Sequence, residues 1–492
     1  MRERPLGTRS STATKVSLDH LQGPFRFVEL VGGKAFHRTP VGPVCRDSEL
    51  AILAAADAAD DLLSLGPYKQ PGLREFVVRL QLDGGHDACP LEAIPDKGGY
   101  ASLFRLVGTS GVLRTSKSQQ REEKTILAPA NRSIEDIFEF AAKAAQRAEK
   151  TDTDAFVAPE VWEDFHSSGL GTSPLPEAFG GAGLWEPRHG ERLCTILRAL
   201  GAADLSIARL YEGHLNAVGL VCRYGSKAQI EDLAADVAAG ALSAVWGADD
   251  VEGLTIVSGQ AGEILKGRKI LASGAGFVTR PLVTAKGMRG QQMCLLDLET
   301  GYVHDIDGWQ AQGMRATATG TVEFTGRSVG AREIVGDPGD FMLQPHFSGG
   351  AWRFCAAHVG ATERLVDLFR GHLRSSGRGE DAYQLERLAG CVADATTARF
   401  WVEEAARRLA SDTDPESIVA FVNLTRMVVE RSALNVMERV QRGVGLRAFV
   451  KPNDVERVCR DLATYLRQPM PDLAMSDGAR VFLNTALPVG EF

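Results

Sequence analysis

The eight cysteines of this 492-residue chain are scattered, with no Cys-x-x-Cys pair and no Cys/His spacing that would make a zinc site. Cysteine this sparse in a long chain suits a reducing compartment. No stretch reaches the ~18 apolar residues needed to span a bilayer. The opening MRERPLGTRSSTATK is basic and rich in Ser and Thr, but no apolar run follows it, which argues against a secretory leader. A cytoplasmic protein with no membrane partner is expected. Positive charge is not in excess either. The 55 Lys and Arg against 63 Asp and Glu leave a net charge of −8, which disfavours nucleic acid as a partner. Three signatures are absent: a Walker loop, a Gly-x-Ser-x-Gly elbow and a Rossmann glycine fingerprint followed by an acid.

What remains is an ordinary globular balance, 44% hydrophobic and 24% charged. The length allows two or three domains of about 100–200 residues and a deep ligand pocket. Residues 1–130 read as an unassigned extension. Within it, Ser48 to Leu65 has the pattern of a helix and Glu75 to Leu82 that of a strand, while Ser116 to Lys124 is a polar linker. From 131 to 240 the text is helical. It opens on a capping-box pattern at Ser133-Ile134-Glu135-Asp136 and resumes over His189 to Arg223 and Gln229 to Ala239. From 241 to 340, ALSAVWG, GEILKGRKILASG, FVTRPLVTA, QMCLLDL and TGTVEFTG read as strands joined by turns. From 341 to 492, Ala/Leu/Arg-rich segments predict a helical bundle. The expected class is α+β, with helices, then a central β-rich domain, then a C-terminal helical bundle.

Five motifs occur along this order: Pro176-Glu177-Ala178-Phe179-Gly180-Gly181-Ala182-Gly183; Gly225-Ser226-Lys227-Ala228-Gln229; Leu265-Lys266-Gly267-Arg268-Lys269-Ile270; Gly313-Met314-Arg315 with Thr319-Gly320-Thr321-Val322-Glu323-Phe324; and Glu456-Arg457 with Arg460-Asp461. Taken together and in this order, they resemble the acyl-CoA dehydrogenase family over about residues 133–492. The resemblance implies bound FAD, usually shared across a subunit interface, and a homodimer or homotetramer assembled through the bundle.

It also implies where FAD would lie. Val245, Trp246 and Gly247 occupy the strand that runs along the flavin, where backbone groups meet the pyrimidine edge of the ring. Leu271, Ala272 and Ser273 occupy the strand that covers the ring; Ser273 keeps a hydroxyl for N5. Leu271 replaces an aromatic, and Trp246 is the candidate to supply the lost stacking. Arg374 and Gln384 resemble the pair that reaches the partner subunit's FAD, and Gly443-Val444-Gly445 resembles a phosphate-approaching turn. Read without the family, the first group is ordinary β-core and the glycines a helix C-cap.

A dehydrogenase of this kind removes an acyl α-proton with a carboxylate in a dry pocket. The usual position, eight residues after Asp461, holds Pro469. The other family position falls in Ser348-Gly349-Gly350-Ala351-Trp352-Arg353, which contains no carboxylate. Asp472 and His346 lie near these positions, and His214 and Asn216 lie on a helix facing the flavin side. The loop 246–253 places Asp249 where a Ser often touches the CoA arm, and an acid there would repel a pyrophosphate. The leading expectation is an FAD-dependent oxidoreductase acting on the CH–CH group of an acyl thioester. The alternatives are a flavin-dependent monooxygenase on the same fold, which needs no α-proton base, and a non-catalytic flavoprotein.

Overall fold

The computed structural model describes residues 134–492, apart from 261, 299–301, 412–413, 487 and 492, together with six strands between 25 and 114. The chain divides into two units, Met1–Ala128 and Pro129–Phe492. In the first, strands β1 (Phe25–Gly32), β2 (Ala35–Pro40), β3 (Val77–Leu82), β4 (Cys89–Ile94), β5 (Leu103–Leu106) and β6 (Val112–Arg114) form one antiparallel sheet in the order β2-β1-β3-β4-β5-β6. The strand expected at Glu75–Leu82 is therefore present as β3. The helix expected over Ser48–Leu65 and the residue Ser133 lie outside the described residues.

The second unit opens with helices α1 (Ile134–Asp154), α2 (Pro159–Ser167), α3 (Gly190–Ala203), α4 (Leu205–Tyr224) and α5 (Lys227–Ala238). The single helical run expected from His189 to Arg223 is broken at Asp204. Its extended backbone ends α3, and its carboxylate accepts the Ser206 and Ile207 N–H groups to start α4. Ser226 and Gln229 cap α5 reciprocally, so the second motif is a capping box.

Nine strands follow: β7 (Ser243–Trp246), β8 (Thr255–Gly259), β9 (Gly262–Lys266), β10 (Arg268–Ala272), β11 (Arg280–Gly287), β12 (Gly290–Leu295), β13 (His304–Asp305), β14 (Gly320–Glu323) and β15 (Ile334–Val335). They make two sheets, β10-β14-β13 and β15-β12-β11-β8-β9, with β7 added in parallel to β11. The chain then returns to helices α6 (Trp352–Ser375), α7 (Ala382–Leu409), α8 (Pro415–Val444), α9 (Asp454–Tyr465) and α10 (Pro471–Asn484). This is the α+β order expected.

Close backbone approach fixes the packing of α3 on α6. A Cβ on Gly201 would lie 2.1 Å from the Ala357 carbonyl oxygen, and one on Gly360 would lie 1.9 Å from that of Arg198. The two glycines thus let each helix sit against the other's backbone. Arg198 then bridges outward to Glu363 and Glu403. Among the described residues, no helix is long and apolar enough to cross a membrane.

Candidate active site

Two strand edges and the helix beneath them form the candidate site. Between Lys269 and Ala272 the pairing of β10 with β14 slips by one residue, the geometry of a β-bulge. The extra residue turns Leu271 outward, at φ +51° and 60% exposed. A left-handed conformation disfavours any residue with a Cβ, and an exposed leucine gains little from burial in return. Such a combination is typical of ligand-contacting positions. Two residues on, the Ser273 hydroxyl accepts a 3.2 Å hydrogen bond from Thr319, which is itself 2.8 Å from the Thr317 hydroxyl. Leu271 and Ser273 thus share one edge, an apolar cover beside a hydroxyl chain.

Val245 and Gly247 flank Trp246 at the end of β7. Val245 is half-buried, and a Cβ added to Gly247 would make only ordinary contact, 3.9 Å from the Thr284 hydroxyl. Trp246 does not provide the stacking surface expected of it. Its ring is 1% exposed, lies between Tyr302 and Phe324 at 6.3 Å each, and its indole N–H donates to the Ser273 carbonyl at 2.9 Å. The alternation of side chains along β7 turns this position into the core. The indole's role is to join β7 to the Ser273 segment from behind.

Asp249 also departs from expectation. Its carboxylate pairs with the fully buried ammonium of Lys269, which also donates to the Gly247 carbonyl at 3.3 Å and the Thr284 hydroxyl at 3.2 Å. Burial pulls the Lys269 pKa down, against the Asp249 contact that raises it. The acid is therefore neutralised by its own strand pair, and the repulsion argued for a pyrophosphate is largely cancelled.

Beneath the edges, α4 contributes Leu210, whose side chain abuts Gly274, and Gly213, which faces Ala244 of β7. His214 is fully buried. Its Nε2–H donates to the Gly171 carbonyl at 2.7 Å, and its Nδ1 accepts the Ser243 N–H at 3.0 Å. Burial depresses it to about 4, so it is a neutral clamp between α4 and β7 with no nitrogen left for a substrate. Glu212, buried beside it, has both oxygens engaged, one by Arg209 and one by Asn216. Asn216 in turn accepts from Arg353 at 3.2 Å.

Arg353 is 6% exposed and stacks its guanidinium 4.1 Å over the Trp185 ring. Burial lowers its pKa to about 10, which leaves it charged at neutral pH. Trp185 itself lies flat on Gly219 of α4, where an added Cβ would be 1.8 Å from the ring. At the far side of α6, His358 and Tyr465 meet edge to face at 4.5 Å. The Tyr465 hydroxyl is buried beside Arg209, and neither it nor His358 Nε2 has a hydrogen bond of good geometry among the described residues. Burial holds His358 down to about 3.

Neither position for a proton-abstracting carboxylate is filled. The Pro469 carbonyl accepts from Arg426 at 2.7 Å, and Gly349–Ala351 form a 3-10 turn leading into α6. Asp472 is exposed in the first turn of α10, where an anion suits the helix dipole. His346 is half-buried, contacts Arg223 at 2.9 Å, and is lowered by burial and by the cations Arg223 and Arg353. Among the described residues no group of three or more His, Cys, Asp or Glu could hold a metal.

The bundle residues linked to the adenosine half of FAD are spread out. Arg374 is exposed in the last turn of α6. Gln384 is buried in α7, and its Oε1 has no partner among the described residues. Gly443 lies within α8, and an added Cβ would be 2.3 Å from the Phe369 ring. Gly445, at φ +80°, is the C-cap, and its N–H donates to the Gln441 carbonyl. This pair therefore closes a helix and does not present free N–H groups to a phosphate, contrary to the turn expected there.

Sequence reasoning did not foresee the network joining Arg209, Glu212, Asn216, Arg353, Trp185 and Tyr465. Its members are isolated polar, charged and aromatic residues on α4, α6, α9 and the turn before α3, and no spacing rule connects them. The seam holding the turn before β14 to α9, by contrast, coincides with two motifs. Met314 N–H donates to Asp461 at 2.7 Å and Gly313 N–H to the Thr464 hydroxyl at 3.1 Å. A Cβ on Gly313 would strike the Arg460 carbonyl at 2.2 Å. Arg460 bonds both oxygens of Asp152 on α1, at 3.0 and 2.8 Å, and pairs with Glu456.

Residues 132–241 match the family model for the acyl-CoA dehydrogenase N-terminal domain. Dibenzothiophene monooxygenase of Rhodococcus erythropolis is 24% identical over 370 residues, covering 67% of this chain and 88% of that protein. Among solved structures, the dibenzothiophene monooxygenase of Paenibacillus sp. A11-2 with FMN and indole superposes with a TM-score of 0.63 at 20% identity, over 72% of this chain and 98% of that one. Butyryl-CoA dehydrogenase of Megasphaera elsdenii gives 0.62 at 16% identity, over 76% and 100%. The fold of this chain is thus shared by proteins named as a monooxygenase and as an acyl-CoA dehydrogenase.

Proposed function

We propose, from the premise that this chain is a divergent member of the acyl-CoA dehydrogenase-like family, that it is a flavin-dependent monooxygenase. One observation carries the reading. The two positions that hold the base in thioester dehydrogenases of this fold carry Pro469 and the Gly349–Ala351 turn, and the buried Glu212 is fully engaged by Arg209 and Asn216. A reaction that begins by abstracting a carbon-bound proton therefore finds no carboxylate at either of those positions. The similarity to dibenzothiophene monooxygenases over most of their length points the same way.

The residues fit a flavin ring. Leu271 supplies apolar cover, the Ser273 and Thr319 hydroxyls supply polar contact at the adjoining edge, and the Val245–Gly247 backbone runs along β7. Reduced flavin, when bound, delivers two electrons to dioxygen, so that one oxygen atom enters the substrate and the other leaves as water. The chain's own part is to orient the ring, to hold the substrate against it and to keep water out. Leu210 against Gly274 and the core-facing Trp246 close the rear of the edge.

FMN is the form we favour over FAD. Gly443 and Gly445 have their N–H groups within the α8 ladder and its cap, which leaves no cradle for a pyrophosphate at that turn. Arg374 and Gln384 would be used only by the adenosine half.

The test supplies reduced FMN to the purified protein and exposes it to labelled dioxygen with a panel of aromatic sulfides, indoles and amines. Label in a product supports the reading. Bleaching of bound flavin by an acyl-CoA under anaerobic conditions, with no labelled product from the panel, overturns it. Chromatography of flavin released from the protein decides between FMN and FAD.

A further inference from the structure

We propose that the start of α6 carries a binding site for the oxyanion of a small organic substrate, with the Arg353 guanidinium and the Trp185 and Trp352 indole N–H groups as its donors. Arg353 is buried without a carboxylate of its own. Its hydrogen bonds go to two neutral acceptors, the Gly350 carbonyl and the Asn216 side-chain oxygen, both from Nη1. Nε and Nη2 donate to nothing among the described residues. The one acid of this cluster, Glu212, is already paired with Arg209.

Two indoles flank it. The guanidinium lies 4.1 Å from the Trp185 ring and 5.9 Å from the Trp352 ring. Both indole nitrogens are buried, and neither has a partner among the described residues. Buried donors are nearly always satisfied, and a buried cation demands an opposite charge more strongly than a hydroxyl or amide does. Water could bond an indole N–H but would not neutralise the guanidinium. A donor-rich cluster around a guanidinium with no carboxylate bonded to it is complementary to a group with two or three oxygens sharing a negative charge. Carboxylate, sulfinate and sulfonate have this chemistry in common.

The location is informative. Arg353 stands one helical turn after Gly350, in the stretch where the family's alternative base would be found, and α4 forms the opposite wall through Asn216 and Gly219. The position that would touch the acyl chain of a thioester is thus given over to gripping charge. Calling the bound ion a substrate rests on the oxygen-transfer reading; the site itself does not.

Isothermal titration of the purified full chain, without flavin and without oxygen, tests the site separately from that reading. The probes are benzoate and methanesulfonate, each against a neutral counterpart, benzamide and dimethyl sulfone. An anion is expected to bind at least about tenfold more tightly than its counterpart, and which of the two does so fixes the acid class. Arg353→Met should weaken that binding by about tenfold to a hundredfold. Trp352→Phe, which keeps a ring and removes the N–H, should weaken it severalfold. Equal binding of anion and neutral counterpart, no saturable binding of either anion, or unchanged anion affinity in the Trp352→Phe protein overturns the proposal. Circular dichroism establishes that each variant is folded. If Arg353→Met does not fold, Trp352→Phe decides the matter.

Discussion

Two residues show how local geometry and function compete. Leu271 occupies a left-handed conformation that glycine adopts without strain. Leu271→Gly is therefore expected to leave stability unchanged or raise it by about 1 kcal/mol, while flavin binding weakens severalfold for want of apolar cover. Thermal unfolding and a flavin titration of the same variant check both halves. Gly219 is the converse case. Its position is set by the ring laid on it, since an added methyl would come within 1.8–2.3 Å of Trp185. Gly219→Ala should destabilise by about 1–3 kcal/mol, seen as a lower denaturation midpoint. Neither outcome is legible in the sequence. Leu271 reads there as a strand residue, and Gly219 carries no signal beyond its place in the helical run His189 to Arg223. The bulge and the overlying indole come from elsewhere in the chain. Trp246 and Asp249 were misread for the same reason, because the core-facing side of β7 and the Lys269 partner are tertiary facts.

At the scale of elements, long periodic segments were legible and short ones were not. The bundle helices α6, α7 and α8 run 24, 28 and 30 residues, long enough for period and caps to be unmistakable. β13 and β15 have two residues each, and their pairing is set by neighbouring strands. One imidazole clamps α4 to β7 by hydrogen bonds, and its protonation has a predictable effect. With a folded-state value of about 4 against an unfolded value of about 6.5, His214 binds more protons in the unfolded chain between those limits. Its contribution to stability is thus complete above about pH 6.5 and is lost as the pH falls toward 4. His214→Asn is expected to lose about 2 kcal/mol at pH 7, from two buried hydrogen bonds, and to show a shallower decline on acidification. Urea unfolding at pH 7 and pH 5 measures both.

For the whole of residues 134–492, the seam between the β-region and α9 has the opposite pH response. Burial raises the Asp461 carboxyl to about 7, even though it accepts the Met314 N–H and lies 3.6 Å from Arg460. Between about pH 4 and pH 7 the folded chain holds the extra proton, so this group's contribution falls as pH rises and levels off above 7. Asp461→Asn, which keeps the acceptor, should remove that slope and match or exceed the parent protein at pH 8 in chemical denaturation. Most of the motif residues that made the family legible lie on this seam and in caps and tight turns; Lys269, Ile270 and Thr319 border the candidate edge. Sequence therefore disclosed the scaffold readily and left the reaction to be argued from what Pro469 and the Arg353 network exclude.

That seam also bears on how the chain is made. Met314 and Gly313 leave the ribosome 147 and 151 residues ahead of the acceptors they need, and Asp152 waits 308 residues for Arg460. Until α9 emerges, the β-region has open donors and an unfilled docking face. A nascent chain paused before residue 460 should therefore expose apolar surface to chaperones, and synthesis of the last helices should act as the trigger for its completion.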